Sequence, residues 1–209
     1  IIETEHFGKL VKFDYEFGTS GGWAPKSGYN MDKSKAGGGV LVVSGTHFLD
    51  RMLYWFGTPT SQVYYDDSYG GVEANCEAHL EFEDNAFQGK IKLSKSMLLN
   101  NRSVIETEHA ICIVSETETE SITVIPKSNP DFHYELTSKS LGNDKDRDYF
   151  QTQIEVYAGN IRDQGEIPVD GQFAANSIEL IEQMYSQRKQ LEETWNYQSV
   201  IKGSENAKH

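Results

Sequence analysis

The sequence predicts an α+β domain, and three observations predict it. From Ser61 to Leu136 the pattern is one of short strand-like runs with no helix between them. Helical periodicity brackets that block on both sides. Nowhere does a strand lead through GxGxxG into a helix, so the chain carries no recognisable dinucleotide site and no doubly wound sheet is expected. Successive strands without crossover helices favour antiparallel pairing.

The first strand spans Lys9–Phe17, where Leu10, Lys12, Asp14 and Glu16 alternate with Val11, Phe13, Tyr15 and Phe17. A Gly-, Ser- and Lys-rich loop from Gly18 to Lys35 follows, with the aromatic side chains of Trp23 and Tyr29 set in it. Gly37-Gly38-Gly39 opens an apolar stretch, Val40 to Phe56, which reads as a helix stopped by Gly57 and Pro59. The strands are Val72–Phe82, Phe87–Leu93, Arg102–Glu108, Ala110–Val114, Ser121–Ile125 and Phe132–Leu136, with a tight turn at Asp84-Asn85. Helix returns over Asp146–Ile161, where Phe150, Ile154, Tyr157 and Ile161 share one face, and over Gln172–Trp195. Residues from Lys202 onward are polar and expected to be loose. With no repeat and no low-complexity linker, residues 1–209 read as a single domain.

Composition narrows the function. Hydrophobic residues make up 37% and charged residues 24%, as in ordinary globular proteins. A formal charge of −13 argues against nucleic acid as partner, because no basic surplus can neutralise phosphates. No apolar run approaches the roughly 18 residues that cross a bilayer. The chain starts Ile1-Ile2-Glu3, without Met or a signal pattern, and is expected to begin inside a longer polypeptide. Cys76 and Cys112 lie among strand residues and read as buried apolar groups in a reducing compartment, which points to the cytoplasm.

The chemistry concentrates in Gly37–Gly57. Three glycines leave backbone N–H groups bare where a helix begins, which suits an anionic or polyhydroxyl ligand. Gly45 within that helix costs about 1 kcal/mol relative to Ala, as where a neighbour approaches closely. His47 and Asp50 lie one turn apart on one side, and a histidine there can exchange a proton with a substrate hydroxyl near neutral pH. On these residues alone, a core histidine with a satisfied hydrogen bond and a solvated or capping Asp50 fit as well. A metal hydrolase using His47, Asp50 and another histidine would start from a nucleus of only two ligands where most metal sites need three or more, so no metal is expected.

Gly37-Gly38-Gly39, Gly45, His47, Asp50 and Trp55-Phe56-Gly57 stand in the register of the signature helix of the glucose–fructose oxidoreductase, inositol dehydrogenase and MocA family, which this segment resembles. Glu77–Asn85 with Gly89-Lys90-Ile91, and Pro168–Gly171 with the helix to Met184-Tyr185-Ser186, resemble that family's hairpin and last helix. The resemblance runs from Gly8 to about Arg188. It implies a C-terminal α+β domain of the dihydrodipicolinate-reductase-like kind: a large, mostly antiparallel sheet with helices packed on one face. A Rossmann domain, absent from this chain, would precede it and would bind most of the NAD or NADP. The resemblance further implies that His47 transfers the proton while a sugar or polyol exchanges hydride with the nicotinamide. Trp23, Lys26, Tyr29 and Asp50 would border the substrate, and homo-oligomers would form through the open sheet face. Val43 stands where the family often has Asp, one turn before the histidine. That departure supports an alternative, a non-catalytic binding or oligomerisation domain on the same fold.

Overall fold

The computed structural model describes residues 2–20, 28–82, 86–117, 121–137, 149–163 and 171–191. In chain order its elements are β1 (Leu10–Gly18), α1 (Lys33–Ala36), α2 (Thr46–Phe56), β2 (Ser61–Asp66), β3 (Asn75–Phe82), β4 (Phe87–Ser94), β5 (Arg102–Thr107), β6 (Ala110–Ser115), β7 (Ser121–Pro126), β8 (Tyr134–Thr137), α3 (Tyr149–Asp163), α4 (Gly171–Ser186) and β9 (Lys189–Gln190). The strands form one nine-stranded sheet in the order β8-β7-β6-β5-β1-β4-β3-β2-β9. β1 is the keystone. It runs parallel to β4 and antiparallel to β5, joining the antiparallel run β2-β3-β4 to the antiparallel run β5-β6-β7-β8.

The alternation in β1 decides the two faces. Tyr15 lies in a row with Ile91, Ala78 and Tyr64, and Phe13 in a row with Ile105, Cys112 and Val124. All eight are buried. α2 lies over this inner face, with Phe48 stacked on Tyr15 at a ring-centroid distance of 3.5 Å and Phe56 stacked on Phe13 at 4.7 Å. α4 covers the β2 end of the same face, where Tyr185 meets Tyr64 edge-on. Full burial of each such side chain stabilises by about 1.5–3 kcal/mol. On the outer face, ion pairs link Lys12 to Asp14 (2.8 Å), Lys90 to Glu77 (2.8 Å) and Lys127 to Glu106 (2.7 Å). The registers put Val104, Ile111, Ile113 and Ile125, each half-buried, on that outer face too.

The mixed α/β architecture with a large, mostly antiparallel sheet agrees with the sequence reading, and several boundaries move. β2 lies at the start of the strand-like stretch without having been delimited there, and β9 was not expected as a strand; it pairs parallel to β2 at the sheet edge. The last helix ends at Ser186 and not at Trp195, because the chain turns to make that pairing. β3 begins at Asn75, and Val72–Ala74 is drawn out of the sheet toward the start of the α2 segment. A register shift between Leu10 and Lys12 turns Val11 outward. Cys76 and Cys112 are free and buried. Phe150, Ile154, Tyr157 and Ile161 of α3 do share a face, and all four are exposed. The Asp84-Asn85 turn and the tail from Lys202 lie outside the described residues.

Candidate functional site

The segment before α2 is not an ordinary helix start. Leu41–Gly45 forms a single π-helical turn, and α2 continues from Thr46 with no side-chain cap at Gly45. Such wide turns are rare and frequent at functional sites. The Thr46 hydroxyl donates to the Val42 carbonyl across it. Gly45 needs no ligand to explain it: a Cβ there would come within 2.8 Å of Leu93 Cδ1, so the glycine lets this turn seat directly on β4.

Of the amides expected to be bare at Gly37–Gly39, that of Gly37 donates to the Lys33 carbonyl (2.9 Å), and that of Gly39 is taken from across the fold by the fully buried Glu73. Its Oε1 accepts from the N–H of Gly39 (2.9 Å) and of Leu41 (3.0 Å), and its carbonyl oxygen accepts from Val40 N–H (2.9 Å). The Tyr185 hydroxyl of α4 donates to the same Oε1 (2.7 Å). A Cβ at Gly38 would overlap the Tyr185 ring, and one at Gly39 would overlap the Glu73 backbone. Gly38 and Gly39 therefore admit an internal carboxyl group and the tyrosine bonded to it, so close approach within the fold, and not a ligand, accounts for these two glycines. Burial raises the Glu73 pKa above the usual carboxylate value, and the Tyr185 and backbone hydrogen bonds oppose that rise only in part.

His47 is the second residue of α2 and is exposed, while its neighbours Phe48 and Leu49 are buried. It is thus not a core histidine. Asp50 is half-buried one turn later, and Val43 is exposed one turn earlier. Tyr29 sits on a separate short turn, Tyr29–Met31, and is exposed. Trp23 and Lys26 lie outside the described residues. The structure therefore puts His47 and Asp50 on one helix and does not establish the loop contacts. Among the described residues, no group of three or more His, Cys, Asp or Glu side chains is placed to hold a metal ion.

Arg51 was not expected in the site. At spacing 4 it shares the helix face of His47 and Trp55. Its Nη2 donates to Glu116 Oε1 (2.6 Å), which also accepts from Ser103 Oγ (3.1 Å). The guanidinium rests over the rings of Trp55 (4.9 Å), Phe48 (5.5 Å) and Tyr15 (5.9 Å). The Arg51–Glu116 partnership spans 65 residues, so no local pattern announces it. A cavity of about 710 Å³ opens farther along α2, lined by Trp55, Phe56, Leu10, Phe87, Ile105 and Val114 among others. It does not include His47. Its walls are mainly apolar.

Comparison with known proteins fits this geometry. Residues 1–192 match the family described as "Oxidoreductase family, C-terminal alpha/beta domain". No curated protein matches the chain by sequence. Among solved structures, aldose-aldose oxidoreductase from Caulobacter crescentus, complexed with glycerol, superposes with a TM-score of 0.71 at 17% identity, covering 89% of this chain and 55% of its own. An NAD binding oxidoreductase from Klebsiella pneumoniae gives 0.70 at 12% identity, covering 90% and 59%. Levoglucosan dehydrogenase, in complex with NADH and levoglucosan, gives 0.67 at 15% identity, covering 90% and 59%. The chain thus spans 55–59% of the length of these three proteins. At such identities the likeness concerns the fold.

Proposed function

Since this chain belongs to the Gfo/Idh/MocA family of oxidoreductases through that family's C-terminal α/β domain, we propose that residues 1–209 are the substrate-binding, proton-transferring domain of a longer NAD- or NADP-dependent enzyme acting on a sugar, sugar derivative or polyol. The exposure of His47 at the head of a helix that is otherwise locked into the core carries this reading. An imidazole there is open to a substrate hydroxyl from one side while Phe48 and Leu49 hold its backbone still. Asp50, one turn on, is in reach of the same substrate. Trp23, Lys26 and Tyr29 of the preceding loop would border the substrate.

The amides of Gly39 and Leu41 already donate to Glu73, so those two are not open to a pyrophosphate. The nicotinamide, held by the part of the enzyme outside this chain, supplies a hydride acceptor or donor at the substrate carbon. This chain's task is the proton. In the oxidising direction His47 takes it from the hydroxyl oxygen as the carbonyl forms, and in the reducing direction it returns it. The named neighbours suggest the substrate class: one is complexed with levoglucosan and another with glycerol. A cytoplasmic setting accords with the two free cysteines, and among the described residues no helix is long and apolar enough to cross a membrane.

Val43 favours the second reading, a binding or oligomerisation domain without catalysis, because its exposed valine cannot share a proton with His47. Dinucleotide titration and assay together decide. The isolated chain should bind NADH and NADPH more weakly than about 100 μM, roughly −5.5 kcal/mol. The full-length protein should turn over at least one of a panel of aldoses, anhydrosugars and polyols with one of the two cofactors. Tight binding by the chain alone, or no turnover of any panel member, would favour the alternatives.

A further inference from the structure

We propose that Glu73 is the positioning residue for the turn that presents His47. Three successive amides at the entrance to that turn, those of Gly39, Val40 and Leu41, all donate to Glu73. The Leu41–Gly45 turn and α2 have no side-chain cap of their own, so this one residue satisfies amides that a helix start otherwise leaves unpaired. The Tyr185 hydroxyl completes the arrangement and ties the same carboxyl oxygen to α4.

The arrangement is more demanding than capping alone requires. A serine or aspartate next to the helix start would cap it while remaining exposed. Here the cap is a fully buried carboxyl group whose Oε2 is buried without a hydrogen-bond partner. Its surroundings include Tyr64 of β2, Cys76 of β3 and Tyr185 of α4, while Arg188 pairs with Asp66. Burying such a group carries a desolvation penalty that a local cap avoids. What the buried group adds is geometry. α2 is pinned to the sheet through Phe48 and Phe56; the turn before it is held by the buried side chains of Val40 and Leu41, by Gly45 against Leu93, and at its entrance amides by Glu73. A π turn contains one more residue than an α turn, and slippage by one residue rotates what lies beyond by about 100°. Fixing the entrance amides prevents that slip and sets the backbone on which His47 begins.

For its consequence in turnover the inference rests on the reading of His47 as the proton carrier; its geometric content does not. The test is NMR of the 209-residue chain with labelled histidine, the His47 ring signals being assigned by their loss in His47→Asn. In Glu73→Ala, amides of Leu41–Thr46 should exchange at least about tenfold faster, the loss expected of a helix cap. The His47 ring resonances should move, the Leu49–Leu53 amides should keep their protection, and Glu73→Gln, which retains an acceptor oxygen, should restore both signals. Unmoved His47 resonances in folded Glu73→Ala, or protection lost evenly along α2, would overturn the proposal. If Glu73→Ala does not fold, Tyr185→Phe removes a single hydrogen bond and must still move the His47 signals; unmoved signals there overturn it equally. Such an outcome leaves the catalytic reading standing, while an inert His47→Asn exchange in the enzyme removes only that reading.

Discussion

Glu73 also makes the stability of the domain depend on pH with a definite sign. Burial raises its folded-state pKa above the ordinary value of 4.5. The folded chain therefore keeps this proton to higher pH than the unfolded chain does. The associated stability is complete below 4.5 and is lost as pH rises through the folded value, at about 1.4 kcal/mol for each unit between them. Urea unfolding across pH should show wild type losing stability relative to Glu73→Gln above that point; parallel curves would contradict the assignment. The placing of His47 and Asp50 one turn apart on a helix was legible because the pattern is local. Spacing alone left His47 equally readable as a core residue, and its exposure is what the structure adds. Glu73 was not legible, since Val72-Glu73-Ala74 looks like any polar strand end and its partners Gly39 and Tyr185 lie 34 and 112 residues away. The one available signal was the glycine triplet, which needed some partner at close range.

At the scale of elements, that triplet is a packing device with unequal members. Gly39 has no room for a Cβ against the Glu73 backbone, Gly38 faces the Tyr185 ring, and Gly37 has open space at φ 78°. Gly39→Ala should therefore cost about 3 kcal/mol or more and Gly37→Ala about 1 kcal/mol, both read by urea midpoints. Equal losses would mean that conformational freedom and not close approach explains the run. The strands that alternated strongly, β1 and β4 above all, could be read directly, because one face is apolar and the other charged. β2 falls within the stretch read as strand-like but was not delimited as a run, because Ser61-Gln62-Val63-Tyr64-Tyr65-Asp66 alternates weakly and sinks both Tyr64 and Asp66. β9 is two residues long and exists only because β2 offers it an edge.

For the whole molecule, the outer sheet face combines ion pairs near β1 with Val104, Ile111, Ile113 and Ile125 toward β6 and β7. No helix among the described residues lies over it, so we predict a homo-oligomer through that face. Sedimentation at tens of micromolar should show a species larger than a monomer, and an Ile113→Lys substitution should shift it toward monomer; a strict monomer throughout would count against the prediction. The central claim, that this domain moves the substrate proton through His47, is tested most directly by His47→Asn in the full-length enzyme. Asn keeps a hydrogen-bonding edge, and the side chain is exposed, so the melting temperature should stay close to that of the parent. Turnover per folded molecule should fall by about 10²–10⁴-fold, the usual contribution of a general acid–base group. A rate within about threefold of the parent, roughly 0.65 kcal/mol on the barrier, would contradict the account.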